Sequence, residues 1–566
     1  MVNLVQSIGI AAAKQIKANF VRKTRQTSAV QEKFLLSLLS TYQNTEFGQN
    51  YELSQIKTVD QFRERIPILP YSSYQNYLDR IVQGEANILT PDPVVYLSLT
   101  SGSTSKKKLI PVTKRSRSAR NRANRTSMSF AVDAARQQGR LLGKMLLTSS
   151  VQLAGRTSAG IEYGPVSVGE LRSASFLSRQ LFAFPFEILQ IPDALAHHYL
   201  CLLFALQNPN TRVIGANFPV LALRLCDYLE HYAEDLIEDL AKGTIAPWLD
   251  IESELRVKLE RGWKSAPQRA DELRQILRSE GHLTPKLAWP NLSFVVTARG
   301  GSSDFYFERF PHYFGDTPIF GGIYASSEAV FGVYYDFNND GTILSIESGF
   351  YEFIPQDQWE APQPKTLLAQ EVTVGEQYRI LVTNYNGLYR YDIGDVVEVV
   401  GYYEKAPIIT FRHRVGGLLS STTEKTTEFH VIQVMRRLQQ DFNLSLENFC
   451  VTLSKHETPP HYLVNIELSP GQTLDNPQAF LAEFDRNLKE IHPSYESKRE
   501  DTQVPPPRLR ILQRGSFEII HQRLLQRGIP EFHLKFPHIT EDRQFLAGLT
   551  VEQEVRLPDS QGLVKK

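Results

Sequence analysis

Stretches with helical periodicity alternate with short strand-like runs along most of the chain, and this alternation restricts the fold to mixed α/β layers. Apolar residues recur at helical spacing in segments 30–39, 194–206, 220–240 and 251–259, whereas segments 144–148, 292–297 and 379–383 are apolar runs of strand length. At 566 residues the chain exceeds what one hydrophobic core supports, so at least two domains are expected. Between residues 400 and 428 the pattern loosens into Gly, Pro, Ser and Thr, including Gly416-Gly417 and Ser420-Ser-Thr-Thr423. We therefore expect a large amino-terminal α/β domain over 1–420, a hinge at 421–428 and a small carboxy-terminal domain over 429–566. In the small domain, strands at 449–454 and 462–468 flank a Pro459-Pro460 turn. A helix at 477–491, a strand at 508–513 and a helix at 516–527 follow, an α+β pattern.

Composition bears on function more than on fold. Equal numbers of basic and acidic side chains, 62 each, leave no net field to attract nucleic acid or an acidic membrane. No segment reaches the roughly 18 to 20 uninterrupted apolar residues that span a bilayer. The amino terminus has a modest apolar run with no positive charge ahead of it, and reads as an amphipathic helix, not a signal peptide. Cys201, Cys226 and Cys450 lie far apart without metal-ligand spacing, as reduced thiols of a cytoplasmic protein would. His197-His198 are adjacent, no H-E-x-x-H occurs and no histidines cluster with cysteines, so a zinc site is not expected.

Three segments carry chemistry. The first, Tyr96-Leu-Ser-Leu-Thr-Ser-Gly-Ser-Thr-Ser-Lys-Lys-Lys-Leu-Ile-Pro111, sets an apolar strand against hydroxyls, one glycine and three lysines. Gly102 lets backbone amides approach an anion, Ser101, Ser103 and Thr104 donate hydroxyl hydrogen bonds, and Lys106 to Lys108 supply charge for a polyphosphate. The G-x-x-x-x-G-K-[ST] spacing is absent, which argues against a kinase or GTPase built on that loop. Taken alone, the same composition also suits a solvated turn.

The second segment, Pro318 to Gly332, places Glu328 between two apolar runs, where a carboxylate is costly to bury unless paired, hydrogen-bonded or metal-bound. A strand-end acid facing water is the plain alternative. In the third, Tyr389-Arg-Tyr-Asp-Ile-Gly-Asp-Val-Val, the Gly394-Asp395 pair interrupts a strand, and Asp395 has two oxygens suited to the two hydroxyls of a ribose. Gly-Asp is also an ordinary turn. Arg390 and Asp392 read as a surface ion pair contributing at most about 1 kcal/mol. The basic run Lys114 to Arg125 is either a solvated helix face or a source of one inward arginine for a carboxylate or phosphate, Arg117 and Arg120 being the candidates.

In this order and at these separations the three segments resemble the adenylate-forming superfamily of acyl-CoA ligases, luciferases and adenylation domains. Within it, Thr100-Ser-Gly-Ser-Thr104 followed by Lys108-Leu-Ile-Pro111, then Tyr324-Ala-Ser-Ser-Glu328 and Tyr389-Arg-x-x-x-Gly-Asp395, are similar to the acyl-acid amido synthetases. That family is known from auxin-responsive enzymes that join plant hormones to amino acids. Asn44-Thr-Glu-Phe-Gly48, Phe62 to Tyr71, Tyr77 to Glu85, Phe411 to Glu428, Pro493-Ser-Tyr-Glu496 and Gly528 to Pro537 extend the resemblance to residues 40–540. Ser105 stands where many relatives carry glycine, and the final signature reads Phe-His-Leu-Lys, so only Lys535 carries over there.

The resemblance implies a large adenylate-forming domain with a mobile carboxy-terminal lid. It implies ATP as substrate with Mg²⁺, a small carboxylic acid and an amino acid or other amine as partners, and an amide as product. Ser101, Gly102, Ser103, Thr104 and Lys108 would hold phosphates, Tyr324 would pack near adenine, and Ser326 and Ser327 would bond nucleotide or phosphate. Glu328 would place magnesium, Asp395 would bind the ribose, and Arg414 would assist ribose or phosphate. Lys425 and Lys535 would approach the phosphates as the lid swings, although a lysine in a polar loop is also an ordinary solvated charge. An acyl-CoA ligase shares the first half-reaction, and a nucleotide or small-acid binder without turnover would share the fold.

Overall fold

The computed structural model describes residues 2–100, 108–415, 417–455, 457–526, 531 and 534–557. It divides into two compact units. Unit 1 comprises Met1–Arg299 and Pro311–Phe411, and unit 2 comprises Gly300–Phe310 and Arg412–Lys566.

Among the described residues, unit 1 contains three sheets. One is fully parallel, in the order Lys144–Leu147, Thr211–Gly215, Phe294–Val296, Ile319–Phe320. Parallel strands are covered on their faces, and the helix Ala194–Leu206 in this part of the chain is buried without interruption from Ala196 to Leu206. A second sheet pairs Val94–Thr100 antiparallel with Lys108–Thr113 and parallel with Glu162–Gly164. The third has eight strands, running from Leu367–Leu368 at one edge to Ile323–Ala325 at the other. Its inner residues, among them Phe331, Ile343, Phe353, Ile380 and Val397, share one core with Phe34, Leu35 and Leu39 of the helix Thr27–Tyr42. The helical and strand periods read from the sequence recur in Thr27–Tyr42, Ala194–Leu206, Ser253–Gly262 and Gln377–Thr383.

Two expectations are corrected here. The stretch 400–428 is not an open connection: Glu404, at φ 55°, turns the chain back, and Ala406–Arg414 forms a nine-residue strand of the large sheet. Ile408, Ile409 and Phe411 are a strand signal that the surrounding Gly and Ser obscured. Arg390 and Asp392 are not a surface pair. Arg390, 7% exposed in its side chain, forms a bidentate pair with Glu352, 1% exposed, at 3.0 and 2.9 Å. Its remaining nitrogen donates to the carbonyls of Arg63 and Ile66, both at 2.7 Å. Asp392 instead pairs with Arg379 and accepts the Gly394 amide.

Unit 2 is an α+β body. Its four-stranded sheet runs Leu446–Leu453, Tyr462–Leu468, Arg508–Leu512, Val551–Arg556, with helices Glu428–Asp441, Pro477–Ile491 and Ser516–Gln526. Cys450, Leu512, Phe517, Ile520 and Phe536 form a core cluster. The 3-10 segment Gly301–Arg309 joins this unit from far upstream in sequence: the Phe305 ring lies 5.0 Å from those of Phe449 and His538, and Arg309 reaches Glu447 at 3.3 Å.

Candidate active site

The site in unit 1 is built around one turn. Thr100 and Lys108 face each other at the ends of paired strands. Ser101, Gly102, Ser103 and Thr104, between them, lie outside the described residues. Against this strand end sits the turn between Ile323–Ala325 and Val330–Tyr334, whose Ser327 hydroxyl donates to the Leu99 carbonyl at 3.2 Å. The Ser326 hydroxyl accepts the amides of Glu328 and Ala329 at 3.2 and 3.3 Å, and its amide donates to the Ala329 carbonyl at 2.8 Å, which closes the turn locally.

Two other elements lock that turn. The helix Lys114–Gln137 opens with a Thr113–Ser116 capping box and brings Arg120 to the Ser326 carbonyl. From the opposite direction, Asn384 and Asn386 both donate side-chain amides to the Glu328 carbonyl, at 2.9 and 2.8 Å. Their own turn depends on Gly387, at φ +79°, where a Cβ would lie 2.3 Å from the Leu89 carbonyl oxygen.

Glu328 is consequently fixed in its backbone, while its side chain is left to face a cavity. The residue is 5% exposed, yet among the described residues no hydrogen bond or ion pair reaches its carboxylate oxygens. Arg117, Arg120, Glu170, Asn384, Tyr385 and Asn386 line the same cavity. Burial pulls the Arg120 guanidinium below its ordinary pKa, opposed by Glu170 and Glu328, and burial raises the Glu170 carboxyl, opposed by Arg120 and Arg117. Lys108 lies with its ammonium 4.8 Å from the centre of the Tyr71 ring, and burial raises the Tyr71 phenol, with Glu328 adding to the rise.

Arg117 also borders a neighbouring cleft of about 350 Å³, shared with Tyr96, Glu162, Arg172, Arg179 and Phe186. Arg179 stacks 3.9 Å over the Phe186 ring, and Arg172 pairs with Glu162 at 3.1 Å. The Nε of Arg117 is buried and has no hydrogen-bond partner among the described residues. The basic helix divides: Arg115 pairs with Asp92 at 2.8 Å, while Arg117 and Arg120 line the cavity.

Tyr324 and Asp395 are brought together. Gly394, at φ +79°, bulges the strand Tyr391–Tyr403 and Asp395, 2% exposed, accepts the Tyr324 hydroxyl at 2.9 Å. The Tyr324 ring lies 5.1 Å from Phe331 and 5.7 Å from Phe411.

The other three named residues belong to unit 2. Arg414 ends a strand at the surface. Lys425 is exposed at φ +59°, with its amide on the Ser420 hydroxyl at 2.9 Å. Lys535 lies 4.0 Å from Glu428, whose other oxygen accepts the His538 amide. Sequence reasoning missed Tyr71, Glu170, Asn384 and Asn386. Asn384-Tyr-Asn-Gly387 is readable as a turn, but nothing local says that its amides hold Glu328.

The architecture is that of the adenylate-forming enzymes. A 2-hydroxyisobutyryl-CoA ligase in its postadenylation state superposes with a TM-score of 0.51 at 12% identity, covering 94% of this chain and 90% of that one. The AtGH3.15 acyl acid amido synthetase in complex with 2,4-DB superposes with a TM-score of 0.83 at 22% identity, covering 97% of each chain. Three family models match in order: GH3 family N-terminal domain over residues 16–319, central domain over 342–414 and C-terminal domain over 429–544. The chain belongs to the GH3 family. Its relatives include the jasmonoyl–L-amino acid synthetase JAR4 of Nicotiana attenuata, 26% identical over 93% of both chains. The indole-3-acetic acid-amido synthetase GH3.4 of Arabidopsis thaliana is 25% identical over 91% of this chain and 89% of that protein.

Proposed function

We propose that this protein is an ATP-dependent ligase that activates a small carboxylic acid as its adenylate and transfers the acyl group to an amine, an amino acid above all. The observation that carries this reading is Glu328: a buried carboxylate without a hydrogen-bonding partner among the described residues, beside two cavity-lining arginines and the strand end that leads to the hydroxyl- and lysine-rich loop. Membership of the GH3 family and relatives named as acid–amino acid synthetases support it.

In the first half-reaction a carboxylate oxygen attacks the α-phosphorus of ATP and the bond to pyrophosphate breaks. In the second, the amine nitrogen attacks the acyl carbon, the bond to AMP breaks, and the nitrogen gives up a proton. Positioning and charge neutralisation are the protein's share of the work. Arg117, whose Nε has no partner among the described residues, would hold the acid's carboxylate, and Asp395 with Tyr324 would hold the ribose and adenine. Ser101, Gly102, Ser103, Thr104 and Lys108 would take the phosphates. Ser326 and Ser327 would act chiefly by shaping the turn, since their hydroxyls already serve backbone groups.

The Glu328 donor set fits magnesium, a hard cation bound through one or two carboxylates and substrate phosphates. When bound, the ion would neutralise phosphate charge. Arg414, Lys425 and Lys535 are assigned to the nucleotide as contributions of unit 2, with 421–428 as the hinge. Among the described residues no helix is long and apolar enough to cross a membrane. We assign the protein to the cytoplasm, a reading supported by three free, buried cysteines.

Carboxylate-dependent ATP–pyrophosphate exchange over a panel of acids, followed by amino acids or coenzyme A as second substrate, tests the proposal. Magnesium-dependent exchange followed by amide formation is expected. Thioester formation without amide would replace it with an acyl-CoA ligase, and absence of exchange with every acid would leave a binding protein.

A further inference from the structure

Outside the lining of the Glu328 cavity, three side chains of metal-ligand type converge in unit 1. Glu230 lies in the last turn of the helix Pro219–His231, His282 follows the helix Pro267–Glu280, and His312 lies on the short helix Phe310–Phe314. One ligand atom from each lies within 4.8 Å of the other two, the His312 Nε2 and Glu230 Oε1 being 3.6 Å apart, and the two imidazole rings stack at 5.6 Å. Ligands of a tetrahedral zinc ion, each at about 2.1 Å, stand roughly 3.4 Å from one another. Side-chain rotations of about 1 Å therefore suffice to close the set, with the backbone in place.

The backbone is held where that requires. Gly281, at φ +75°, ends its helix, and Leu283 and Thr284 immediately after His282 are fully buried, so the histidine sits between two fixed points. Tyr313 and Phe314 are buried, and the Tyr313 hydroxyl donates to Asp227 at 3.0 Å, which ties the His312 helix to the one carrying Glu230. His282 Nδ1 lies 2.9 Å from the Glu280 carbonyl. That bond selects the tautomer with Nδ1 protonated, leaves the Nε2 lone pair available and orients the ring, as the outer partner of a metal-bound histidine does.

Charge points the same way. Glu230 sits at the helix end where exposed carbonyls already make the potential negative, a position that disfavours a carboxylate and favours a cation. Two imidazoles and one carboxylate suit zinc and its late first-row neighbours, whereas magnesium and calcium prefer all-oxygen sets. We propose that Glu230, His282 and His312 form a binding site for a late first-row divalent cation, zinc or a neighbour, completed by water. The bound ion would cross-link three segments that are separated in sequence by about 30 to 80 residues, close to Pro311, where the chain re-enters unit 1. The site is independent of the ligase reading.

Titration calorimetry of the chelator-treated full-length protein with zinc chloride tests the site, with the visible spectrum of the cobalt(II) form reporting imidazole ligation. One micromolar-range site is expected, with a melting temperature raised by zinc. His282→Gln and His312→Gln should each weaken binding by about 10- to 100-fold and the double variant should abolish it. All three variants should melt like the parent protein in chelator, because the residues are partly or largely exposed. Absence of a saturable zinc site in the parent protein, or equal affinity in the double variant, would overturn the proposal.

Discussion

Removing Arg390 should unlock the centre of unit 1. The guanidinium makes two bonds to Glu352 and two to backbone carbonyls, and both charged groups are almost wholly withdrawn from water. Arg390→Met leaves Glu352 with the Thr366 hydroxyl at 2.7 Å and Arg63 at 3.7 Å as its remaining polar neighbours. It also orphans the Arg63 and Ile66 carbonyls. Breaking one side of a buried ion pair costs about 3–5 kcal/mol. With an unfolding entropy of roughly 2.1 cal/mol/K per residue over roughly 400 residues, the melting temperature should fall by ~4–6 °C. Differential scanning calorimetry of Arg390→Met, Glu352→Met and the double variant measures this. The double variant should recover at least half of the summed loss, because it removes the uncompensated charge with its partner. A shift below about 1 °C for Arg390→Met, or strict additivity in the double variant, would refute a desolvated, coupled pair.

Glu328→Gln should lower ATP–pyrophosphate exchange by at least ~100-fold while changing nucleotide affinity by no more than ~3-fold, measured by exchange kinetics and fluorescent-nucleotide titration. Equal exchange would remove its role. Arg117→Ala should raise the KM for the carboxylic acid by roughly 10- to 100-fold, the worth of one charge-assisted hydrogen bond, with a smaller change in the KM for ATP. Unit 2 should lose stability as pH falls. Burial, with His492 and His413 nearby, lowers the His430 pKa from 6.5 to about 3, and its Nδ1 accepts the Thr427 amide in a capping box. The unfolded chain takes up a proton that the folded unit resists, so this contribution is present above about pH 6.5 and is lost progressively toward pH 3. Urea midpoints at pH 7, 5.5 and 4 should show the decline, and His430→Gln should flatten it. Identical slopes in the two proteins would rule it out.

Much of the fold is legible in the sequence. The helices Thr27–Tyr42, Ala194–Leu206 and Pro477–Ile491 and the strands Gln377–Thr383 and Arg508–Leu512 fall where periodicity places them, because side-chain spacing within an element is a local property. The strand Ala406–Arg414 is hidden because turn-type residues bound it on both sides, Gly401 before it and Gly416-Gly417 after it. The segment Gly301–Arg309 gives no sign that it packs in unit 2, since what it contacts lies more than a hundred residues away.

By itself the sequence determined the α/β class, the order of the three motif segments and the family they resemble. Tertiary structure alone decided the environment of each charge. Its own segment leaves Glu328 free to face water; Asn384, Asn386 and Arg120, arriving from other elements, fix its turn. Arg390 pairs with Glu352 and not with Asp392 because it precedes the strand Tyr391–Tyr403 at φ +42°, a left-handed backbone that takes its side chain out of the strand's alternation, while Asp392 pairs with Arg379 of the adjoining strand. Glu230, His282 and His312 meet only because two helix ends and a turn are packed together. Desolvation and pairing depend on groups distant in sequence, and local residue patterns carry no record of them.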